Sequence, residues 1–135
     1  MNNVPQELDW VDARARCSLI EVFKALRLGA ESDVQTINEK RQSENGVTFQ
    51  VTDNTAGDVF VVSQADALHK EIKFYLGKDH IAIKGRSQGD LIVTITLNDD
   101  GRCKLRANDG PDLEQWQVRR MVLEKLFFGP FGGPI

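Results

Sequence analysis

Two histidines, His69 and His80, are the natural starting point for acid–base or nucleophilic chemistry in this chain. An imidazole titrates near neutral pH and can activate a serine or cysteine within hydrogen-bond reach. No metal-ligand spacing surrounds either histidine, and Asp79 beside His80 should point to the opposite face of a strand. We therefore expect surface histidines rather than catalytic bases or metal ligands.

The two cysteines, Cys17 and Cys103, are far apart in the sequence and form neither a CxxC motif nor a metal-binding spacing. The flanking cations Arg102 and Lys104 would favour a reactive thiolate. Alternation, however, places Cys103 on the same face of its strand as Leu105, which is the core face. We expect two reduced, partly buried cysteines, as in a cytoplasmic protein.

Signature motifs of nucleotide-binding and hydrolytic enzymes are missing from the sequence. It contains no GxxxxGK[ST], GxGxxG, GxSxG or HExxH string. The acidic turn at residues 98–101 lacks the spaced ligands of an EF-hand loop, because basic residues follow it directly. We predict no catalytic residue, no metal site and no cofactor, and the balance is against an enzyme.

The solvent face of the predicted sheet is rich in cations and hydroxyl groups. Such a face can hold an anionic ligand or single-stranded nucleic acid, but a stacking platform needs two or three aromatic residues and only Tyr75 is present. Nucleic acid binding is therefore not expected, and a solvated sheet face accounts for the pattern. The candidate anion-binding residues on this face are Lys73, Lys84, Lys104 and Arg106.

Apolar side chains concentrate at the C-terminus of the chain, at Phe127, Phe128, Phe131 and Ile135. Chain ends usually fray, so two interpretations stand side by side. In one, the tail folds back and completes the core. In the other, these four residues form an exposed patch that binds a partner protein, or a second copy of the chain in a homodimer.

The composition is that of one globular domain. The 135 residues are 41% hydrophobic and 27% charged, with a net charge of −3. A domain of this size buries roughly two-thirds of the surface that its unfolded chain exposes. No segment approaches the ~18 consecutive apolar residues that span a bilayer, and no secretory signal is visible. We predict a single cytoplasmic domain over residues 1–135, without membrane contact.

Alternation of apolar and polar residues between positions 47 and 107 predicts a sheet. Residues 47–52, 70–76 and 90–97 show this period of two, whereas residues 58–63 are almost entirely apolar and fit a central strand. The connections are short and contain turn residues, so neighbouring strands must be antiparallel. We predict a mainly antiparallel meander of five to six strands over about residues 47–107.

Helical periodicity flanks this sheet on both sides. Apolar residues from Val11 to Ile37 recur at helical spacing and predict an N-terminal helix over about residues 9–41, with Asp9 as its N-cap. Gly29 leaves two alternatives: a continuous helix, which we favour and which carries a cost of ~1 kcal/mol, or a break followed by a helix capped by Ser32. Pro111 begins a C-terminal helix over about residues 111–128, and a Gly/Pro/Phe tail at 129–135 follows.

These elements predict an α+β domain of two layers, in which both helices pack on one face of the sheet. The order resembles cystatin-like and helix-grip architectures in topology, which does not fix a function. We hypothesise a non-catalytic protein-interaction or adaptor module. The alternative is a carrier of a small apolar ligand, with a cavity between sheet and helices lined by Phe23, Phe49, Phe60, Phe74 and Trp116.

Overall fold

The sheet is an antiparallel meander of six strands whose order in space is their order in the sequence. The computed structural model describes residues 7–40, 47–65 and 70–129. Its strands are β1 (Phe49–Asp53), β2 (Val59–Gln64), β3 (Glu71–Leu76), β4 (Ile81–Lys84), β5 (Leu91–Leu97) and β6 (Cys103–Ala107). The predicted α+β class and antiparallel meander are confirmed.

Three helices accompany the sheet within the described residues: α1 (Trp10–Arg16), α2 (Leu19–Lys40) and α3 (Gln115–Phe128). Asp9 caps α1, as predicted, by accepting the backbone N–H of Asp12 at 3.1 Å. None of the helices in the described part of the chain is long and apolar enough to cross a membrane. The C-terminal helix begins at Gln115, four residues after Pro111, because residues 111–114 first run beside β6.

The N-terminal helical region is divided, but not at Gly29. α2 continues through Gly29, and the chain breaks earlier, at Cys17 and Ser18. The backbone N–H of Cys17 bonds the carbonyls of Ala13 and Arg14, which closes α1. The Ser18 hydroxyl accepts the N–H of Glu21 at 3.2 Å and begins the next helix. The expected single helix over residues 9–41 is therefore two helices.

One core joins the helices to the sheet. Alternate strand residues such as Phe60, Phe74 and Leu105 are fully buried, and they belong to the same cluster as buried residues of α2 and α3. Aromatic rings occupy its centre: the ring centroids of Phe60 and Phe74 lie 4.2 Å apart in a stacked pair. The ring of Phe23 from α2 lies 5.1 Å from that of Phe60. The alternation of apolar and polar residues in these strands therefore predicts correctly which side chains face the core.

Both edges of the sheet have hydrogen-bond partners outside the meander. At β1, the side-chain amide of Asn38 accepts the N–H of Phe49 at 2.9 Å and donates to its carbonyl at 3.0 Å. At β6, Leu105 and Leu113 exchange backbone hydrogen bonds of 2.9 and 2.7 Å. These contacts occupy backbone groups that would otherwise offer a template for pairing with another strand.

The expectation of two reduced cysteines is wrong. Cys17 and Cys103 form a disulfide, with their Cα atoms 5.3 Å apart. The bond joins the break between α1 and α2 to the first residue of β6. Sequence spacing could not show this, because the cysteines are 86 positions apart and meet only when the meander brings β6 back to the N-terminal helices.

Candidate functional site

A groove of about 590 Å³ runs between the second half of α2 and the length of α3. Ile37 from α2 and Leu123 and Phe127 from α3 are buried and form its apolar floor. Trp116 lines one end and Phe128 the other, and these side chains are 53% and 38% exposed. Phe128 lies twelve positions after Trp116, which corresponds to about 18 Å of helix, since each residue rises 1.5 Å.

Charged side chains border this α2–α3 groove. Arg119 Nε donates to Asp33 Oδ2 at 2.7 Å, which ties the two helices together across the groove. The Arg119 side chain is only 17% exposed. Arg120 and Glu124 form a weaker pair along α3, with 3.4 Å between nitrogen and oxygen. The rim therefore carries charges of both signs around an apolar floor.

Gly29 has a structural reason to be glycine in the middle of α2. A Cβ at this position would collide with the guanidinium of Arg119. The helix thus accepts a residue of poor helical propensity, and Arg119 reaches past it to Asp33, one turn further along α2.

The four candidate partner-binding residues at the C-terminus divide into three groups. Phe127 is 7% exposed and packs edge-on against Phe49, with ring centroids 5.0 Å apart, so it belongs to the core. Phe128 is partly exposed and lines the α2–α3 groove. Phe131 and Ile135 lie outside the described residues.

The candidate cavity residues do not form one cavity lining. Phe23, Phe60 and Phe74 pack ring against ring, and Phe49 packs against Phe127. Trp116 is separate from them, because its side chain faces the α2–α3 groove. Aromatic contacts therefore fill the space around Phe23, Phe60 and Phe74, where a ligand was expected.

The four candidate anion-binding cations share the solvent face but form two separate pairs. Lys73 and Lys84 are cross-strand partners on β3 and β4. The Nζ of Lys84 lies 5.7 Å from the centre of the Tyr75 ring, and Lys73 lies 3.4 Å from Glu71. Both cations are thus engaged with neighbours on their own face.

The second pair lies on β6 and is neutralised by the segment that precedes α3. Lys104 bonds Glu114 at 2.8 Å, and Arg106 bonds Asp112 at 2.7 Å. The hydrogen bond from Lys104, and then its charge, hold the pKa of Glu114 below its ordinary value. Together with the pairing of Lys73, these contacts leave little uncompensated positive charge for an anion on this face.

His80 contacts Asp79, although the two side chains were expected to point to opposite faces of a strand. Its Nδ1 lies 2.8 Å from Asp79 Oδ1. Both residues belong to the turn before β4, where side chains do not alternate between two faces. The Asp79 side chain is 87% exposed, so this pair is a surface contact. His69 lies outside the described residues.

Trp116 was named from the sequence as a cavity residue and Phe127 as a partner-binding residue, but Arg120 and Leu123 of the groove were not identified, although a signal was available. Trp116, Arg120, Leu123 and Phe127 recur at intervals of four, three and four residues, which is the spacing of one helix face. An exposed Trp and an Arg on that face are typical of interface anchors. Asp33 and Arg119 carried no such signal, because their pairing depends on how α2 and α3 pack.

The described residues hold no cluster of three or more His, Cys, Asp or Glu side chains that could bind a metal ion. The α2–α3 groove therefore stands out for its shape and its apolar floor rather than for reactive groups. Comparison of the chain with protein-family models, with curated proteins and with solved structures gave no match.

Proposed function

We propose that this protein is a non-catalytic protein-interaction module whose α2–α3 groove binds an amphipathic helical segment of a partner protein. The observation that carries the proposal is Trp116, a large side chain that is 53% exposed beside a floor of buried apolar residues. Tryptophan and arginine dominate the binding energy of many protein interfaces. The groove offers Trp116 and Arg120 together.

The dimensions and charges of the groove support a helical ligand. A helix of about three turns, roughly 11 residues, matches the length between Trp116 and Phe128. Helix-in-groove recognition places apolar residues at positions i, i+3 or i+4, and i+7 along such a ligand. The mixed charges of the rim, Arg120 and Glu124 among them, would pair with polar residues flanking that apolar stripe.

A random peptide library displayed on phage and panned against the protein tests this proposal. We expect enrichment of peptides whose apolar residues recur at helical spacing. Their affinity should fall by roughly tenfold or more for Trp116→Ala, as it does for interface hot spots. Met121→Ala is the matched control, since Met121 is 47% exposed on the same helix but does not line the groove.

Two outcomes would contradict the proposal. One is that no peptide is enriched, or that the enriched peptides bind Trp116→Ala as well as they bind the unaltered protein. The other is that the protein dimerises by itself and Trp116→Ala abolishes the dimer, because the groove would then serve a second copy of the chain. Sedimentation at several concentrations measures this second outcome.

The carrier of a small apolar ligand has less support. Its cavity was expected between sheet and helices, where the rings of Phe23, Phe60 and Phe74 are in contact and buried. Close-packed aromatic side chains leave no space among these three rings for a ligand of ordinary size. Phe49, by contrast, lines a separate concavity of about 450 Å³ between α3 and the sheet.

The cysteines bear on the compartment in which the module would work. The cytoplasmic location rested partly on reduced thiols, whereas a disulfide persists mainly in oxidising compartments. The bond between Cys17 and Cys103 therefore favours an oxidising environment over the cytoplasm. Trapping free thiols with an alkylating reagent at the moment of cell lysis would decide this, because a reduced chain takes up two labels and an oxidised chain none.

A further inference from the structure

A second concavity, of about 450 Å³, lies on the flank of α3 opposite the α2–α3 groove. Its wall is formed by the second half of α3, by the start of β3 and by the loop that follows β4. We call it the Arg86 pocket, after the residue in that loop. Its volume falls within the range of about 300 to 1,000 Å³ that small-molecule sites occupy.

Arg86 has an unusual environment for a charged side chain. Its Nε is buried from solvent and has no hydrogen-bond partner among the described residues. A guanidinium N–H that is removed from water without an acceptor destabilises the fold. Buried polar groups of this kind are rare, and a functional role is one of their common explanations.

The backbone before Arg86 holds the side chain in this place. Gly85 has a φ of +106°, and a Cβ there would collide with the carbonyl oxygen of Glu71 on β3. Only glycine therefore permits this close approach of the loop to the strand. The chain turns sharply after β4, and Arg86 enters the wall of the pocket.

The charges around the pocket favour an anion. Lys70 and Lys125 line it together with Arg86, and among the described lining residues Glu71 is the only carboxylate. The carboxylate of Glu71 lies 3.4 Å from the Nζ of Lys73, and this positive charge partly offsets the negative charge of Glu71 at the pocket. Three cations thus surround the site with one partly neutralised acid.

The apolar part of the wall comes largely from α3, including Met121, Leu126 and Phe127. The uncharged polar residues of the lining are Gln64, Ser87 and Gln88. A planar guanidinium matches the geometry of a carboxylate, to which it can donate two parallel hydrogen bonds. We propose that the Arg86 pocket binds a small amphiphilic carboxylate, with its anionic group on Arg86 and its apolar body against α3. Phe127 and Phe128 line both this pocket and the α2–α3 groove, whereas the three cations line this pocket and not the groove. The proposal does not rest on the function proposed for the groove.

Decanoate is a suitable probe, with 1-decanol and acetate as matched controls, all used below the concentration at which decanoate forms micelles. We expect decanoate to shift the Nε–Hε resonance of Arg86 in ¹⁵N–¹H NMR spectra and to bind saturably. Decanol lacks the charge and acetate lacks the chain, so each should bind at least about tenfold more weakly. Equal binding of decanol, or no shift of the Arg86 resonance, would overturn the proposal.

Arg86→Met separates a binding role from a structural one. The substitution removes the unpartnered donor and keeps an unbranched apolar chain, so the unfolding midpoint without ligand should stay the same or rise. Decanoate affinity should fall by about tenfold or more. A variant that unfolds at lower temperature, or that does not fold, would instead mark Arg86 as structural and refute the assignment.

Two further variants complete the comparison. Arg120→Met alters an exposed arginine of α3 that lines the other groove, and it should change neither stability nor decanoate affinity. Arg86→Lys keeps the positive charge but loses the planar fork, and its affinity should lie between those of the unaltered protein and Arg86→Met. If Arg120→Met weakens decanoate as much as Arg86→Met does, binding is a general effect of positive charge.

Discussion

Arg119 and Asp33 join the two helices that form the α2–α3 groove, through a hydrogen bond of 2.7 Å between Nε and Oδ2. The guanidinium of Arg119 lies where a side chain at Gly29 would otherwise be. A residue that looks like a helix breaker is therefore the place where a long cationic side chain crosses α2. The contact between Arg119 and Gly29 therefore links the low helix propensity of one residue in α2 to the position of α3 beside it.

The first prediction tests this coupling with Gly29→Ala. In a free helix the change should raise the free energy of unfolding by ~1 kcal/mol, because alanine is the better helix former. Here the new methyl group displaces Arg119 and weakens a partly buried ion pair worth about 1 kcal/mol. We expect little net change in the unaltered protein and a gain of ~1 kcal/mol when Arg119 is already alanine.

The double-mutant cycle compares the unaltered protein, Gly29→Ala, Arg119→Ala and the variant that carries both changes, and urea unfolding measures the stability of each. A gain of the same size in both backgrounds would show that the guanidinium does not occupy the space beside Gly29. Asp33→Asn, which keeps the shape of the side chain but removes its charge, should reproduce the loss of the ion pair without the steric conflict.

The second prediction concerns the disulfide. Its two cysteines are 86 residues apart, so the loop that it closes in the unfolded chain is long. The loop-entropy model gives a contribution of roughly 4 to 5 kcal/mol to the free energy of unfolding, as an upper value. Cys17→Ser with Cys103→Ser, or reduction of the unaltered protein, should therefore lower stability by a large part of that amount.

α1 should respond most strongly to loss of the bond. The helix has no buried residue of its own, and Cys17 is the residue that follows it. Hydrogen exchange of residues 10–16 should accelerate in the serine variant, while exchange of the central strands changes only with global stability. If both cysteines of the untreated, unfolded protein react with a thiol reagent, the pairing is absent and this prediction fails.

The third prediction concerns Asn38, whose amide bonds both backbone groups of Phe49 at the edge of the sheet. Asn38→Ala leaves these two groups without a partner and should lower the free energy of unfolding by about 1–3 kcal/mol. It also exposes part of the β1 edge, so the variant should associate at concentrations where the unaltered protein does not. Urea unfolding and sedimentation measure the two effects.

Gln35→Ala is the control for Asn38→Ala. Gln35 is an exposed amide on the same helix, and its Nε2 donates to Glu39 Oε1 at 3.2 Å. Its removal should change stability by less than about 0.5 kcal/mol, as for most surface substitutions. Similar losses for both variants would mean that the edge contact of Asn38 contributes no more than an ordinary surface hydrogen bond.

The sheet was predictable because alternation is a local signal with one physical cause, burial of one face. Phe74 occupies the buried register that its neighbours indicated. In β2, where the sequence is apolar throughout residues 59–62, only alternate residues are fully buried. The break between α1 and α2 was missed because the apolar rhythm continues across Cys17 and Ser18, and the break is fixed by a cap and a distant cysteine. Local periodicity carries no information about such a partner.

The candidate site was only partly accessible from the sequence for the same reason. Phe128 was identified as an apolar residue near the end of a helix, and it does line the groove. Asp33 and Arg119, by contrast, are 86 residues apart and meet only because α2 and α3 pack side by side. Arg86 was missed because its burial depends on Gly85 and on the carbonyl of Glu71, which belongs to another strand.

The fourth prediction uses the pH dependence of Glu114. Lys104 donates a hydrogen bond to this carboxylate and adds an attractive charge, so the pKa of Glu114 in the folded protein lies below the ordinary value of 4.5. The unfolded chain therefore takes up a proton at higher pH than the folded chain does. The stabilisation by this pair is complete above the unfolded pKa and is lost as the pH falls through the lowered folded pKa.

Glu114→Gln should consequently lower the unfolding midpoint at neutral pH and have a smaller effect at acidic pH, once the pH falls through the lowered pKa of the folded carboxylate. Lys104→Met provides the control, because Glu114→Gln should then lose most of its effect at neutral pH. Thermal unfolding of the four proteins across this pH range gives the comparison. A Glu114→Gln effect that is independent of pH, or that persists fully without Lys104, would show that the carboxylate acts through something other than this ion pair.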